Sequence, residues 1–168
     1  MVDRLPDPPA FADLVASFPT RGLALDVACG RGRGTAWIAR RGMDVCGVDI
    51  SPVAIDLAAE YVDAMGVAAR CAFVVADLDT GLPPGLPVDL VFSYLFRTPE
   101  LTVPFVERLR PGGILAVCHA SEADVGPRQW RIPAGALSRA FSAIRGLEIL
   151  DDRDADGIAR VLARRSPP

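Results

Sequence analysis

The stretch Leu23-Ala24-Leu25-Asp26-Val27-Ala28-Cys29-Gly30-Arg31-Gly32-Arg33-Gly34-Thr35 decides how the rest of the chain is read. Its first five residues are an apolar run holding one acid, the composition of a short buried strand. Glycines at alternate positions then let the backbone turn sharply and bring bare N–H groups close to a ligand. An Ala-containing stretch, Thr35 to Arg40, follows as a helix. Strand, glycine turn and helix in that order open a parallel α/β unit, whose ligands bind beyond the carboxyl ends of the strands. The strict dinucleotide fingerprint fails, because it needs a further glycine where this chain has Thr35.

The alternation continues outward from that unit. Apolar runs predict strands at Leu23 to Val27, Val45 to Val48, Phe73 to Val75, Val88 to Phe92, Ile114 to Cys118, Leu147 to Leu150 and Ile158 to Ala163. Helices are predicted at Thr35 to Arg40, Pro52 to Met65, Glu100 to Leu109 and Ala134 to Phe141, the second introduced by a Ser51-Pro52 start signal. Phe11, Leu14, Val15 and Phe18 fall on one helical face and predict a leading helix within residues 1–20, ended by Pro19. The link from Asp151 to Gly157 is too short for a crossover helix, so the last two strands pair antiparallel. The expected fold is a single α/β domain over residues 1–168, with its core over 21–168. It is a three-layer sandwich: a mostly parallel seven-stranded sheet, covered on both faces, ending in an antiparallel hairpin.

Composition removes several chemistries. A chain of 168 residues that is 51% hydrophobic and 23% charged supports one packed core and argues against disorder. All 18 basic residues are Arg, so lysine Schiff-base chemistry and the lysine of a P-loop are excluded. His119 is the single histidine, which makes a catalytic triad or a zinc centre a poor reading, and no metal site is expected. The net charge of −3 disfavours nucleic acid as a partner. Cys29, Cys46, Cys71 and Cys118 lie far apart and read as reduced, mostly buried thiols. No apolar stretch has bilayer length and the first residues lack a signal-peptide pattern, so a cytoplasmic protein without membrane contact is expected.

Asp26 stands inside the first strand, where a carboxylate can meet a cationic amino group. Asp49 ends the second strand about twenty residues beyond the glycines, where an acid can accept both hydroxyls of a ribose. Asp77 follows the third strand within reach of an exocyclic amino group, while Asp79 reads as a turn cap.

Leu25 to Gly32, with these acids, resembles the glycine-rich first motif of the class I S-adenosylmethionine-dependent methyltransferases. The likeness extends over about residues 20 to 165, including Leu109-Arg110-Pro111-Gly112-Gly113-Ile114-Leu115 before the fifth strand and the closing hairpin. Gly-Arg-Gly-Arg-Gly followed by Val-Asp-Ile-Ser is also similar to the small tellurite-resistance and thiopurine-type branch. The resemblance implies S-adenosyl-L-methionine as cofactor and transfer of its methyl group to a small-molecule acceptor by in-line displacement. It places Asp26 near the methionine amino group, Gly30 and Gly32 under the cofactor, Asp49 at the ribose and Asp77 at the adenine. Ala28, Cys29, Ile50, Leu78 and Ser93 join that binding set.

The family layout puts the end of the fourth strand beside the transferred methyl, which makes Tyr94 and Arg97 acceptor-side candidates. Core packing is the competing reading for Tyr94, and a solvated charge for Arg97. His119, with Glu122 or Asp124 nearby, is a third catalytic candidate, though a lone histidine is more often structural. Arg128, Trp130 and Arg131 are placed in a loop that covers an acceptor or merely connects elements. Arg160, Arg164 and Arg165 are expected to decorate an edge strand against aggregation. RNA or protein methylation, and a non-catalytic cofactor-binding sensor, are the alternatives. Monomer and homodimer are both open.

Overall fold

A computed structural model describes residues 7–96 and 99–167. The elements run β1 (Leu23–Val27), α1 (Arg33–Arg40), β2 (Asp44–Asp49), α2 (Pro52–Ala64), β3 (Cys71–Val75), β4 (Val88–Tyr94), α3 (Thr102–Arg108), β5 (Leu109–Ala120), α4 (Ala136–Ser142), β6 (Leu147–Ala155) and β7 (Ile158–Arg165). They build one seven-stranded sheet in the order β3-β2-β1-β4-β5-β7-β6. β3 through β5 are parallel, and β7 runs antiparallel to both β5 and β6. The strand order reverses at β1, so the loops after β1 and β4 leave toward opposite faces and open a crevice at their carboxyl ends.

Each predicted strand is present, and β1 has the predicted bounds. β6 runs on through Asp151, Asp152, Arg153 and Asp154, past the predicted end at Leu150. On this edge strand Asp152 and Arg153 face solvent, while Asp151 pairs with Arg160 and Asp154 accepts from Gly135 N–H, and a run of charges hides the strand from a search for apolar residues. Pro52 starts α2 as its spacing predicted, with the Ser51 hydroxyl accepting from Ala54 N–H at 3.2 Å.

Among the described residues the leading helix is absent. Two single 3-10 turns, Pro9–Phe11 and Val15–Ser17, take its place. Their turn-to-turn spacing mimics a helical face, while the backbone leaves helical geometry between them, at Leu14 with φ −114° and ψ 9°. The segment is fixed by tertiary packing instead. Phe11 and Phe18 join Trp37 and Phe92 in an aromatic cluster, with the Phe18 and Trp37 ring centres 5.1 Å apart and perpendicular.

This segment and α1 cover one face of the sheet, with α2 beside α1. The other face is packed by Phe105 and Val106 of α3 and by Leu137 and Phe141 of α4, against Leu115, Val117 and Val161. Both faces are covered, as expected, but the second layer thins toward β3. The crossover from β3 to β4 contains only the 3-10 turn Leu78–Thr80 and a proline-rich loop. A groove of about 410 Å³ therefore lies over β1, β2 and β3, floored by Leu25, Cys46 and Val74 and walled by Pro83, Pro84 and Leu86.

The C-terminal arginines also differ from expectation, because β7 is interior and β6 is the edge. Arg160 is 6% exposed and bonds Asp151, Asp13 and the Ala10 carbonyl. Arg165 donates to the carbonyls of Val106, Glu107 and Leu109 at the end of α3, and Arg164 pairs with Glu148. Among the described residues, no helix is long and apolar enough to cross a membrane.

Candidate functional site

The loop after β1 is tied down mainly through its own backbone groups. Cys29 N–H donates to the Val48 carbonyl at 2.9 Å, tying the loop to β2, and Gly32 N–H closes the turn on the Cys29 carbonyl at 3.0 Å. Ala28, Gly30 and Gly32 have φ of 57°, 53° and 76°, so alternate residues are left-handed. Ala28 bears that conformation with a side chain, a local strain of order 1–2 kcal/mol. The glycines have separate reasons. A Cβ on Gly32 would come within 2.9 Å of Ala58 on α2, and one on Gly34 within 2.8 Å of Phe92 and 3.0 Å of Asp26 Oδ2. A Cβ on Gly30 would meet nothing within 4 Å, so that residue faces open space where a ligand can approach the backbone.

Asp26 lies beneath this loop and is 2% exposed. Its Oδ2 accepts a 2.6 Å hydrogen bond from Thr35 Oγ1. Burial pushes its carboxyl up to about 7, the Thr35 bond pulls the other way, and the charge of Asp49 adds to the rise. A buried acid on the verge of ionising at neutral pH is one whose charged form a neighbouring cation would stabilise.

Asp49 ends β2 with both oxygens engaged. Its Oδ2 accepts from Gly30 N–H at 2.8 Å and its Oδ1 from Ser51 N–H at 3.0 Å. Two backbone donors lock the carboxylate, and each oxygen keeps a lone pair for a hydroxyl. Ile50 beside it is 61% exposed, an apolar surface without protein cover. On the neighbouring strand Asp77, and not Asp79, is the turn cap: its Oδ1 accepts from Asp79 N–H at 3.0 Å, and its side chain is exposed. Leu78 is buried behind it. The register pairs Val27 with Val48 and Asp49 with Val75, so the three acids share one edge of the sheet.

Ser93 sits opposite Val27 on β4, wholly buried, and its hydroxyl has no hydrogen-bond partner among the described residues. The hydroxyl group of Tyr94 accepts from Ala10 N–H at 3.3 Å, and its ring stacks on Phe92. Desolvation raises its pKa. Tyr94 is thus tied to the N-terminal segment. His119 lies within β5, opposite Ala159, and not beyond the strand end as the sequence suggested; it is 8% exposed. Arg97 falls outside the described residues.

In the loop after β5, Arg131 donates to the carbonyls of Val125 and Gly126, and Asp124 accepts from Asp156 N–H. Both brace the loop, while Trp130 stands 67% exposed. All four cysteines are free. Burial raises every thiol, Cys71 to about 11 and Cys118 to about 12, so they stay protonated.

Sequence reading missed the partners that hold these residues. Thr35 was noticed only as the residue that broke a glycine pattern, yet it is the donor to Asp26. Asp7 accepts from Trp37 Nε1 at 3.0 Å, and Asp13 from Arg160 Nη2 at 2.8 Å. The signal for the second was present: Arg160 interrupts the apolar run Ile158 to Ala163, and a cation there needs a partner.

Residues 24–113 match the model of a protein family described as a methyltransferase domain. A curated relative, trans-aconitate 2-methyltransferase of Methylobacterium radiotolerans, is 36% identical over 115 residues, covering 63% of this chain and 42% of that protein. The chain therefore spans about two fifths of the length of this relative. Among solved structures, the [4+2]-cyclase SpnF superposes with a TM-score of 0.78 at 21% identity, over 93% of this chain and 80% of its own. TehB from Haemophilus influenzae gives 0.73 at 18% identity, over 94% and 60%. A SAM dependent methyltransferase from Aquifex aeolicus gives 0.70 at 18%, over 98% and 96%. At such identities these three likenesses speak to the fold.

Proposed function

This chain belongs to the methyltransferase-domain family, in its class I S-adenosylmethionine-dependent form, and on that premise we propose that it binds S-adenosyl-L-methionine along the carboxyl edge of β1, β2 and β3 and methylates a small molecule. The observation that carries the reading is Asp26, a buried carboxylate with a pKa raised to about 7 beneath an open glycine loop. The residues present fit the group. Asp26 is placed for an ammonium, Gly30 for close approach, Asp49 for two vicinal hydroxyls, Ile50 and Asp77 for a purine, and the orphan Ser93 hydroxyl for a polar atom near the methionine end.

When bound, the cofactor supplies an electrophilic sulfonium methyl, a reaction that needs positioning more than acid–base chemistry. The chain's own contribution is orientation. Asp49 is fixed by two backbone donors, Gly32 and Gly34 keep α1 and α2 close to the loop, and Asp26 holds charge at one atom. Tyr94 and the Phe11 segment close the far side of β4 against water. Arg97 and His119 remain the acceptor-side candidates, Arg97 for holding an anion and His119 for moving a proton. The relative acts, by its name, on trans-aconitate, so an unsaturated polycarboxylic acid is the first acceptor to try.

Calorimetry with S-adenosylmethionine tests the cofactor site: binding by the wild type and its loss in Asp49→Ala is the expected result. Undiminished binding by that variant overturns the site. Transfer of a labelled methyl from the cofactor into trans-aconitate or a metabolite extract then tests the activity. A protein that binds but labels nothing is a binding module.

A further inference from the structure

The two edges of the sheet are built in opposite ways. β6 carries Glu148, Asp151, Asp152, Arg153 and Asp154, and a register shift breaks its ladder between Ile149 and Asp151. Charges and an irregular ladder are the standard protection of an edge strand. β3, at the other edge, reads Cys71-Ala72-Phe73-Val74-Val75, with no charge, proline or bulge. Val74 is 38% exposed and Val75 50%. Beside it lies the groove left by the helix-free crossover.

We propose that this edge is the homodimer interface: β3 pairs antiparallel with β3 of a second copy about a two-fold axis through Phe73. Backbone direction supports that register. Ala76 N–H donates inward to the Asp49 carbonyl at 3.0 Å, so by alternation the backbone groups of Cys71, Phe73 and Val75 face outward. Cys71 N–H is already used, bonding the Ala68 carbonyl. With the axis on an outward-facing residue, Phe73 exchanges both its hydrogen bonds with its own copy. Val75 N–H donates to the second copy's Cys71 carbonyl, whose N–H is not needed. No outward donor of β3 is left unpaired.

Charge adds to this self-complementary register. Arg70, half-exposed and ion-paired with Asp44 of its own chain at 3.0 Å, stands just before β3, and Asp77 and Asp79 stand exposed just after it. Antiparallel self-pairing sets this guanidinium beside the acidic end of the other strand. It also lays Val74 against Ala72 of the copy, joining the two uncovered groove floors. Closed two-fold pairing leaves no free β3 edge, which removes the aggregation hazard that the bare strand would carry.

Sedimentation velocity over a micromolar concentration series tests this on the full chain. The wild type should shift from monomer to dimer as concentration rises. Val75→Pro deletes an outward N–H and leaves the bonds to β2 intact, so it should stay monomeric with its far-UV spectrum and melting temperature nearly unchanged. Val74→Lys, at a half-open position, should do the same through charge. A wild type monomeric throughout the series overturns the proposal, as does a dimer that survives in a folded Val75→Pro or Val74→Lys. Cofactor binding is a separate readout: its failure would strike the proposed function and leave the dimer result standing.

Discussion

The two halves of the sheet hold their sites by different means. Around β1, β2 and β3 the edge proposed for the cofactor is shaped by backbone: left-handed residues at 28, 30 and 32, two N–H groups fixing Asp49, and a loop tied to β2 by Cys29 N–H. Around β4, β5 and β7 the work is done by long side chains that reach across the chain. Arg160 joins Asp13 and Ala10 from about 150 positions away, Tyr94 reaches Ala10, and Arg165 reaches the end of α3. A backbone-built site is precise but intolerant of added atoms. A side-chain-braced one can lose a partner and still keep its shape. The contrast predicts that changes to the backbone-built loop damage binding, whereas changes to the long side-chain braces of the second half damage stability alone.

The largest expected separation comes from Asp26→Asn. The Asp26 carboxyl is raised from 3.8 to about 7 by burial, so the folded state binds its proton more tightly than the unfolded state. Its contribution to stability is whole below pH 4 and falls as pH rises to 7, where the loss levels off at roughly 4 kcal/mol. Asparagine has no such titration. The variant without cofactor should match or exceed the wild type in denaturant midpoint at pH 8 and lose that advantage at pH 4. It should also bind S-adenosylmethionine at least 100-fold more weakly, for want of the carboxylate. Equal pH dependence in the two proteins breaks the assignment.

Gly32→Ala should cost about 2–3 kcal/mol, because it combines left-handed strain with a contact that pushes α2 away. Cofactor affinity should drop at least tenfold. Gly66→Ala is the control, since its φ is 70° but nothing lies within 4 Å. It should cost only the backbone share, about 1 kcal/mol, and leave binding alone. Comparable binding losses in both variants would show that global strain, and not the loop, sets affinity.

On the braced side, Arg160→Leu removes a buried guanidinium from Asp151 and Asp13. Asp13 is 59% exposed and resolvates freely, so the loss should be about 2 kcal/mol, below that of a fully buried pair. Cofactor affinity should change less than threefold by calorimetry. A tenfold loss would mean that the N-terminal segment reaches the cofactor, and the division between halves would fail.

The same division decided what the sequence could reveal. The positions of Asp26, Gly30 and Gly32 were legible because they depend on spacing within one strand-turn-helix unit, and that of Asp49 because it ends the next apolar run. The antiparallel hairpin followed from the short link between its strands, whereas the strand order needed the structure. The leading helix misled because two 3-10 turns repeat apolar residues at nearly helical intervals. The role of Arg160 was hidden because its partners lie some 150 positions away, and no local pattern reports such a pairing. The bare groove was also invisible, since a missing helix leaves only a proline-rich loop that reads like any other.

Thr35 joins the local and the concealed, and it gives the smallest predicted effect. It is the Oγ1 donor to Asp26, and that bond lowers the carboxyl against the desolvation that raises it. Thr35→Val keeps shape and removes the donor, leaving desolvation less opposed, so the pKa of Asp26 should climb further above 7. Because an ammonium is held only by the ionised acid, S-adenosylmethionine affinity in the wild type should rise with pH toward about 7 and then flatten. In Thr35→Val the whole curve should move to higher pH, by about one unit for a bond worth about 1.4 kcal/mol. Thr35→Ser, which restores a hydroxyl, should move it back. A curve displaced vertically and not along the pH axis would show that Thr35 acts by packing, and that the acid is set by burial alone.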